Sequence, residues 1–469
     1  MKSVEQEIER EALLGSMPLL TNERLYGFVD ALLVLSGYCI ATWSYTQGAY
    51  LTTLVGFKQL LIGAFFGAIL MLVIYQLPVI LSVRWGIDIW VWLRSVLGHN
   101  GVVLMSLVII AINYPWYAVS ADLFASSMNA LGGILHLPAL PHRLLSVACV
   151  VLGTAIAWRG VKTITNTTRI LVPMLLIVGV IVFIAGFTSV PPGVIWNYKP
   201  ASYTEGNIIP YIISIEANFA FVITLIGGMA EIPRLTKAEN SGFWAGVLGQ
   251  GLAGSFFVVL GAVMAIAMEY TTGEAVSDPT LMLATLTIPA MALCSLLLVA
   301  FANIGTQATG AYLYGVMLKT SFKKTSYRTI IAVLAVYVSI LCIWGKIVEY
   351  FGSFLTISAC IYAPLAALLF TDFFFIRKQS FSLKAAYGIE RGDVYNYTGG
   401  FNIVSLICIV FGSGISLAIY NPISCQVHIP LLFNFTPTGF SFLSTCVLYY
   451  VLNQIPFIKK YMQKDLEIM

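Results

Sequence analysis

The feature that most constrains this chain is a series of apolar runs close to the length a membrane demands. A helix needs ~20 residues to cross a hydrocarbon layer of ~30 Å. Twelve runs approach or exceed that length, at 26–49, 55–82, 100–131, 144–158, 170–189, 208–230, 242–268, 283–318, 329–347, 351–376, 402–420 and 431–455. Only helices and closed barrels satisfy their backbone groups in lipid, and the ~10-residue alternating segments of a barrel are missing. The expected fold class is an all-α polytopic membrane protein with twelve transmembrane helices. Composition agrees, with 59% hydrophobic and 10% charged residues against roughly 25% charged in soluble proteins. Mean hydropathy is +0.89. A soluble enzyme, a nucleic-acid binder, a disordered chain and a secreted disulfide scaffold are excluded, so the partner expected is the lipid bilayer and not nucleic acid.

Charge sets the orientation. With the N-terminus in the cytoplasm and loops alternating, only Lys58, Arg143, Lys199 and Lys346 of the 25 Lys and Arg residues fall outside. The positive-inside rule then places both termini in the cytoplasm of a multi-pass cell-membrane protein. The expected organisation is a cytoplasmic segment 1–25, a core of ten helices over 26–376, a cytoplasmic loop 377–401, helices eleven and twelve over 402–455, and a cytoplasmic tail 456–469. The N-terminus carries Glu5, Glu7, Glu9 and Glu11 and lacks the basic region of a cleaved signal peptide.

Catalytic and metal signatures are missing. The eight cysteines show no CxxC pair, and His99, His136, His142 and His428 are widely separated. HExxH, GxSxG and GxxxxGK[ST] do not occur. No enzyme activity, cofactor or metal is expected.

The informative residues are polar or helix-breaking places inside the spans. Span one contains Ser36-Gly37-Tyr38-Cys39-Ile40 and then Thr42-Trp43-Ser44-Tyr45-Thr46-Gln47, small and polar enough to unwind and offer carbonyls to a cation. In span three, Pro115 should kink the helix. Trp116 and Ser120, four apart, share a face, and an indole beside a hydroxyl suits a flat heterocycle. Asp122 lies about 200° around the helix from Ser120. Span six carries Glu216 and Asn218, then Gly227-Gly228. A carboxylate at membrane depth costs at least ~2.5 kcal/mol unless paired, neutral or wet, which makes Glu216 a functional candidate. Two interrupted helices, one early and one midway, point to a transport site at a repeat interface. In span eight, Thr306, Gln307 and Thr309 add hydroxyl and amide groups.

Several segments, in order, resemble the nucleobase–cation symporter family of purine/cytosine permeases and related carriers. They are Glu23-Arg24-Leu25-Tyr26-Gly27, Arg84-Trp85-Gly86-Ile87-Asp88, Trp116-Tyr117-Ala118-Val119, Glu231-Ile232-Pro233-Arg234, Asp372-Phe373-Phe374-Phe375-Ile376-Arg377 and Tyr395-Asn396-Tyr397-Thr398-Gly399-Gly400-Phe401-Asn402. The resemblance implies a five-plus-five inverted repeat of the leucine-transporter type, repeat one near 26–189 and repeat two near 208–376, with two further helices. It implies substrate between spans one, three, six, eight and ten. Trp116 would stack on it, Ser120 and Gln307 would bond it, and Phe221 or Phe219 would supply the span-six aromatic. Asn218 would read a polar ring edge. The family's sodium site would map to Gly37, Ile40, Ala302 and Thr306, with one hydroxyl lost because Gly305 stands at the second span-eight position.

The expected function is therefore secondary active import of a small planar heterocycle, a nucleobase such as cytosine or a purine, coupled to Na+ or H+. Asp122 or Glu216 would carry the proton or pair with a substrate cation. The alternative is proton-coupled transport of a cationic vitamin precursor or amine, with a channel or membrane sensor more remote.

Overall fold

The computed structural model describes residues 17–39, 42–159, 161–201, 203, 208–225, 232–273, 278–285, 289–322, 324–389, 394–424 and 426–463. Each of the twelve apolar runs contains a helix among the described residues. Six helices are long and apolar enough to cross a membrane: Phe57–Gln76, His99–Ile134, Glu239–Thr272, Pro289–Ser321, Tyr327–Trp344 and Phe351–Ile376. Two further candidates are bent pairs, Phe28–Gly37 with Thr42–Leu54 at 59° and Pro437–Leu452 with Pro456–Met462 at 102°. The rest are shorter apolar helices, His142–Ala157, Pro173–Ser189, Ile209–Ile223 and Ile403–Ile419.

Several boundaries differ from the sequence expectation for local reasons. Span eight begins at Pro289 rather than 283, because Pro279–Thr285 forms a separate 3-10 segment. In span six the α-helix Ile209–Ile223 passes into a 3-10 turn at Thr224 and Leu225, the last described residues before the glycine pair. Span twelve begins at Pro437, after a short helix Pro430–Phe433, since proline favours the first turn of a helix. An unanticipated antiparallel pair, Tyr420–Asn421 with Gln426–Val427, closes the connection between spans eleven and twelve.

Lipid tails are as apolar as leucine, so these helices associate by close packing and hydrogen bonding. Spans one and seven show the first. A Cβ on Gly48 would stand 2.0 Å from the Val258 carbonyl oxygen, and one on Gly261 would stand 2.2 Å from that of Tyr45. Only glycine lets the backbones meet there. Near the Lys- and Arg-rich ends, polar groups join elements distant in sequence. Asp88 caps the helix Ile89–Leu97 by accepting from the Val91 N–H at 2.7 Å. The buried Arg377 pairs with Asp372 and also donates to the carbonyls of Ser95 and Met462. Asp372 accepts from the Tyr449 hydroxyl at 3.0 Å. Spans ten and twelve, helix Ile89–Leu97 and the C-terminal segment are thereby tied together.

Candidate functional site

The site is built around the break in span three. Helix His99–Asn113 ends, Pro115 intervenes, and a second helix starts at Trp116. Proline has no N–H to give to the preceding turn, so carbonyls are freed at the kink. Two are recaptured by neighbouring spans: Ala111 accepts from the Tyr337 hydroxyl at 2.9 Å and Ile112 from the Ser358 hydroxyl at 2.8 Å. The kink is thus held by spans nine and ten, and it fixes the direction of Trp116.

The Trp116 indole is buried, 5% exposed. It meets rings from three other spans edge-on: Trp43 at 5.7 Å, Phe221 at 5.7 Å, Phe351 at 5.3 Å and Phe354 at 4.9 Å. Edge-to-face contacts are a favoured aromatic geometry. Beside this cluster lies a narrow cavity lined by Trp43, Asn113, Trp116, Tyr117, Phe221, Thr224, Leu225 and Tyr314, with about 10 Å³ of free room, the space of a single water in this conformation. Spans one, three, six and eight line it, and span ten backs Trp116 from the side. Among the described residues the lining holds no charged side chain.

Span six ends at this cavity. Side chains donate to its last described carbonyls. Phe221 accepts from the Thr224 hydroxyl at 2.6 Å, Val222 from the Tyr75 hydroxyl at 2.7 Å, and Thr224 from the Asn113 amide at 3.3 Å. Gly227, Gly228 and Glu231 lie outside the described residues.

Of the sequence-predicted substrate residues, the structure brings Trp116 and Phe221 together at the cavity and places the others elsewhere. Phe219 turns to span twelve, its ring 3.5 Å from where a Cβ on Gly439 would stand. Asn218 donates to the Ser214 carbonyl of its own helix at 2.8 Å. The Gln307 amide donates to the Tyr117 carbonyl, so it fastens span eight to span three. Ser120 is fully buried without a hydrogen-bond partner, and it does not line the cavity. The cavity lining also holds Trp43, Asn113, Tyr117, Thr224, Leu225 and Tyr314, none of them among the sequence-predicted substrate residues. The only signal for Asn113 was an amide beside the Pro115 kink.

The candidate coupling residues also separate. Glu216 is 7% exposed and accepts from Thr438, at 3.1 and 3.2 Å from the backbone N–H and 2.6 Å from the hydroxyl. Thr438 begins span twelve, and a helix N-terminus favours an anion. Asp122 contacts His142 Nε2 at 2.8 Å, a partly exposed pair between the ends of spans three and four. Neither carboxylate lines the cavity. Of the cation-site candidates, Gly37 lies in the last turn of Phe28–Cys39, while Ile40 is outside the described residues. Ala302 is buried and Thr306 half-buried on span eight. Next to them, Thr42 donates its hydroxyl to Asn303 Oδ1 and so joins span one to span eight.

Comparisons with known proteins agree with this architecture. The fold matches MHP1, a nucleobase-cation-symport-1 family transporter, in a closed conformation with bromovinylhydantoin bound. The TM-score is 0.76 at 18% identity over 96% of both chains. The inward-facing conformation of Mhp1 matches with a TM-score of 0.76 at 17% identity, over 95% of this chain and 97% of that one. MhsT in complex with L-phenylalanine matches at 0.58 and 12% identity, over 91% and 99%. No curated protein sequence matches the chain. The family model described as permease for cytosine/purines, uracil, thiamine, allantoin matches residues 18–437. A chain matched over nearly its whole length by that model, with a multi-pass helical fold to suit, belongs to the cytosine/purine, uracil, thiamine and allantoin permease family.

Proposed function

We propose that the protein imports a small, neutral, planar heterocycle by cation-coupled symport, through alternating access around Trp116. The observation that carries this reading is the uncharged aromatic cavity where spans one, three and six meet span eight. An aromatic lining without charge favours a flat neutral ring. A cationic vitamin precursor or amine fits less well: the two candidates for its counter-ion, the buried Glu216 and the partly exposed Asp122, are bonded to Thr438 and His142. Core helices 26–376 form the transporting unit in this reading, with repeats near 26–189 and 208–376. Both termini lie in the cytoplasm, supported by the sidedness of Lys and Arg.

The coupling cation, Na+ or H+, acts in this reading at the junction of the span-one break with Ala302 and Thr306. Two helices bridged there by an ion would move as one, which is how ion occupancy biases a transport equilibrium. The test is uptake of labelled cytosine, uracil, hypoxanthine, allantoin and thiamine into proteoliposomes under imposed sodium or proton gradients. Uptake of a neutral base driven by one gradient, and lost in Trp116→Ala, is the expected result. Gradient-independent flux, or transport of thiamine alone, would overturn it.

A further inference from the structure

Two side chains at the cavity retain unused hydrogen-bonding capacity. Asn113 is 4% exposed and Trp116 5% exposed. Asn113 Nδ2 donates to the Thr224 carbonyl at 3.3 Å and to the Tyr314 hydroxyl. The Thr224 carbonyl can only accept, so it settles which end of the amide is nitrogen. Asn113 Oδ1 is left buried with no partner, and so is Trp116 Nε1. Both residues line the same cavity. Buried polar atoms are almost always satisfied, and an orphan at a cavity calls for a ligand or water. One orphan here is an acceptor and the other a donor.

We propose that Asn113 is a specificity-determining residue whose Oδ1 accepts a ring N–H of the substrate, while Trp116 Nε1 donates to a ring carbonyl or nitrogen. This rests on the transport reading above and narrows it to neutral heterocycles carrying a free ring N–H, the lactam and imide class. Tyr314 and Thr224 act as positioning residues: they engage both amide hydrogens and turn the oxygen toward the cavity. A methyl group on the ring nitrogen removes the donor and leaves Oδ1 buried and unpaired. Sites built to bond a substrate N–H reject analogues lacking it far more strongly than they reject changes in apolar bulk.

The test is competition for uptake in proteoliposomes using uracil, hypoxanthine and their ring-N-methylated derivatives, on the full chain. Wild type should prefer the parent over the derivative methylated at the recognised nitrogen by about tenfold or more. Asn113→Leu, similar in volume and apolar, should bring that ratio close to one and retain transport of methylated ring. Tyr314→Phe should reduce the ratio less, because Thr224 still holds the amide. The selectivity ratio separates reading from mere support, since a purely structural role lowers uptake of both rings alike. If Asn113→Leu keeps the wild-type ratio, or loses both ligands equally while eluting as folded protein with an unchanged melting curve, the assignment of Asn113 fails and the transport reading survives. If wild type takes up neither base, both fail.

Discussion

Span six presents two faces that use polar chemistry in opposite ways. On one, Glu216 and Phe219, three positions apart, meet Thr438 and Gly439 of span twelve. Every bond recorded for that carboxylate ends on one helix N-terminus. On the other face, Phe221 and Thr224 open onto the cavity, where Asn113 Oδ1 and Trp116 Nε1 are left without partners. A satisfied buried charge holds structure together, whereas an unsatisfied buried dipole leaves a place for something to bind. The costly carboxylate of span six thus lies on the face packed against span twelve, and an inconspicuous asparagine lies beside the cavity.

The comparison can be broken most directly at Trp116. Trp116→Ala removes the ring at the centre of the aromatic cluster together with its Nε1 donor, and a buried acceptor left unpaired costs about 1–3 kcal/mol. Substrate binding, read by thermal shift or uptake, should weaken roughly ten- to hundredfold. Binding unchanged in that variant would place the substrate elsewhere.

Glu216→Ala tests the packing face. It strands the buried Thr438 N–H, a loss of about 1–3 kcal/mol. The melting temperature in detergent should fall, while uptake per folded molecule keeps its ion dependence. Uptake that persists but no longer responds to a proton gradient would return Glu216 to the coupling machinery.

The two phenylalanines sharpen the contrast within one helix. Phe221→Leu should raise the substrate concentration for half-maximal uptake several-fold, with little change in melting temperature. Phe219→Leu should do the reverse, lowering stability by less than about 1.5 kcal/mol and leaving affinity intact. Reversed results would mean that the faces have been exchanged.

The smallest effect is expected at Arg84, whose side chain is 35% exposed in its 2.8 Å pair with Glu239. Exposed pairs contribute about 0–1 kcal/mol. Arg84→Gln should therefore shift the melting temperature little, and a large shift would show that this corner is more buried in a membrane than its exposure indicates.

How legible each feature was depended on how locally it is determined. The apolar runs could be located because the bilayer imposes a length on a continuous stretch of chain. The Pro115 kink was legible because a missing N–H acts on its own helix. Its capture by Tyr337 and Ser358 was not, since both lie more than two hundred residues away. The register of the span-six aromatic also escaped the sequence. Phe219 and Phe221 are chemically identical and two positions apart, so only the neighbours packed against each face tell them apart.

The sequence by itself determined that this is a multi-pass helical membrane protein, that span three breaks at Pro115, and which permease family it resembles. Those properties follow from hydropathy, proline and ordered short motifs, all written along the chain. The tertiary structure alone decided that Glu216 and Phe219 serve span twelve, that Gln307 fastens span eight to span three, and that Asn113 shares a cavity with Trp116. The physical reason is that a polar side chain takes its role from its partner, and in a helical bundle the partner belongs to another span.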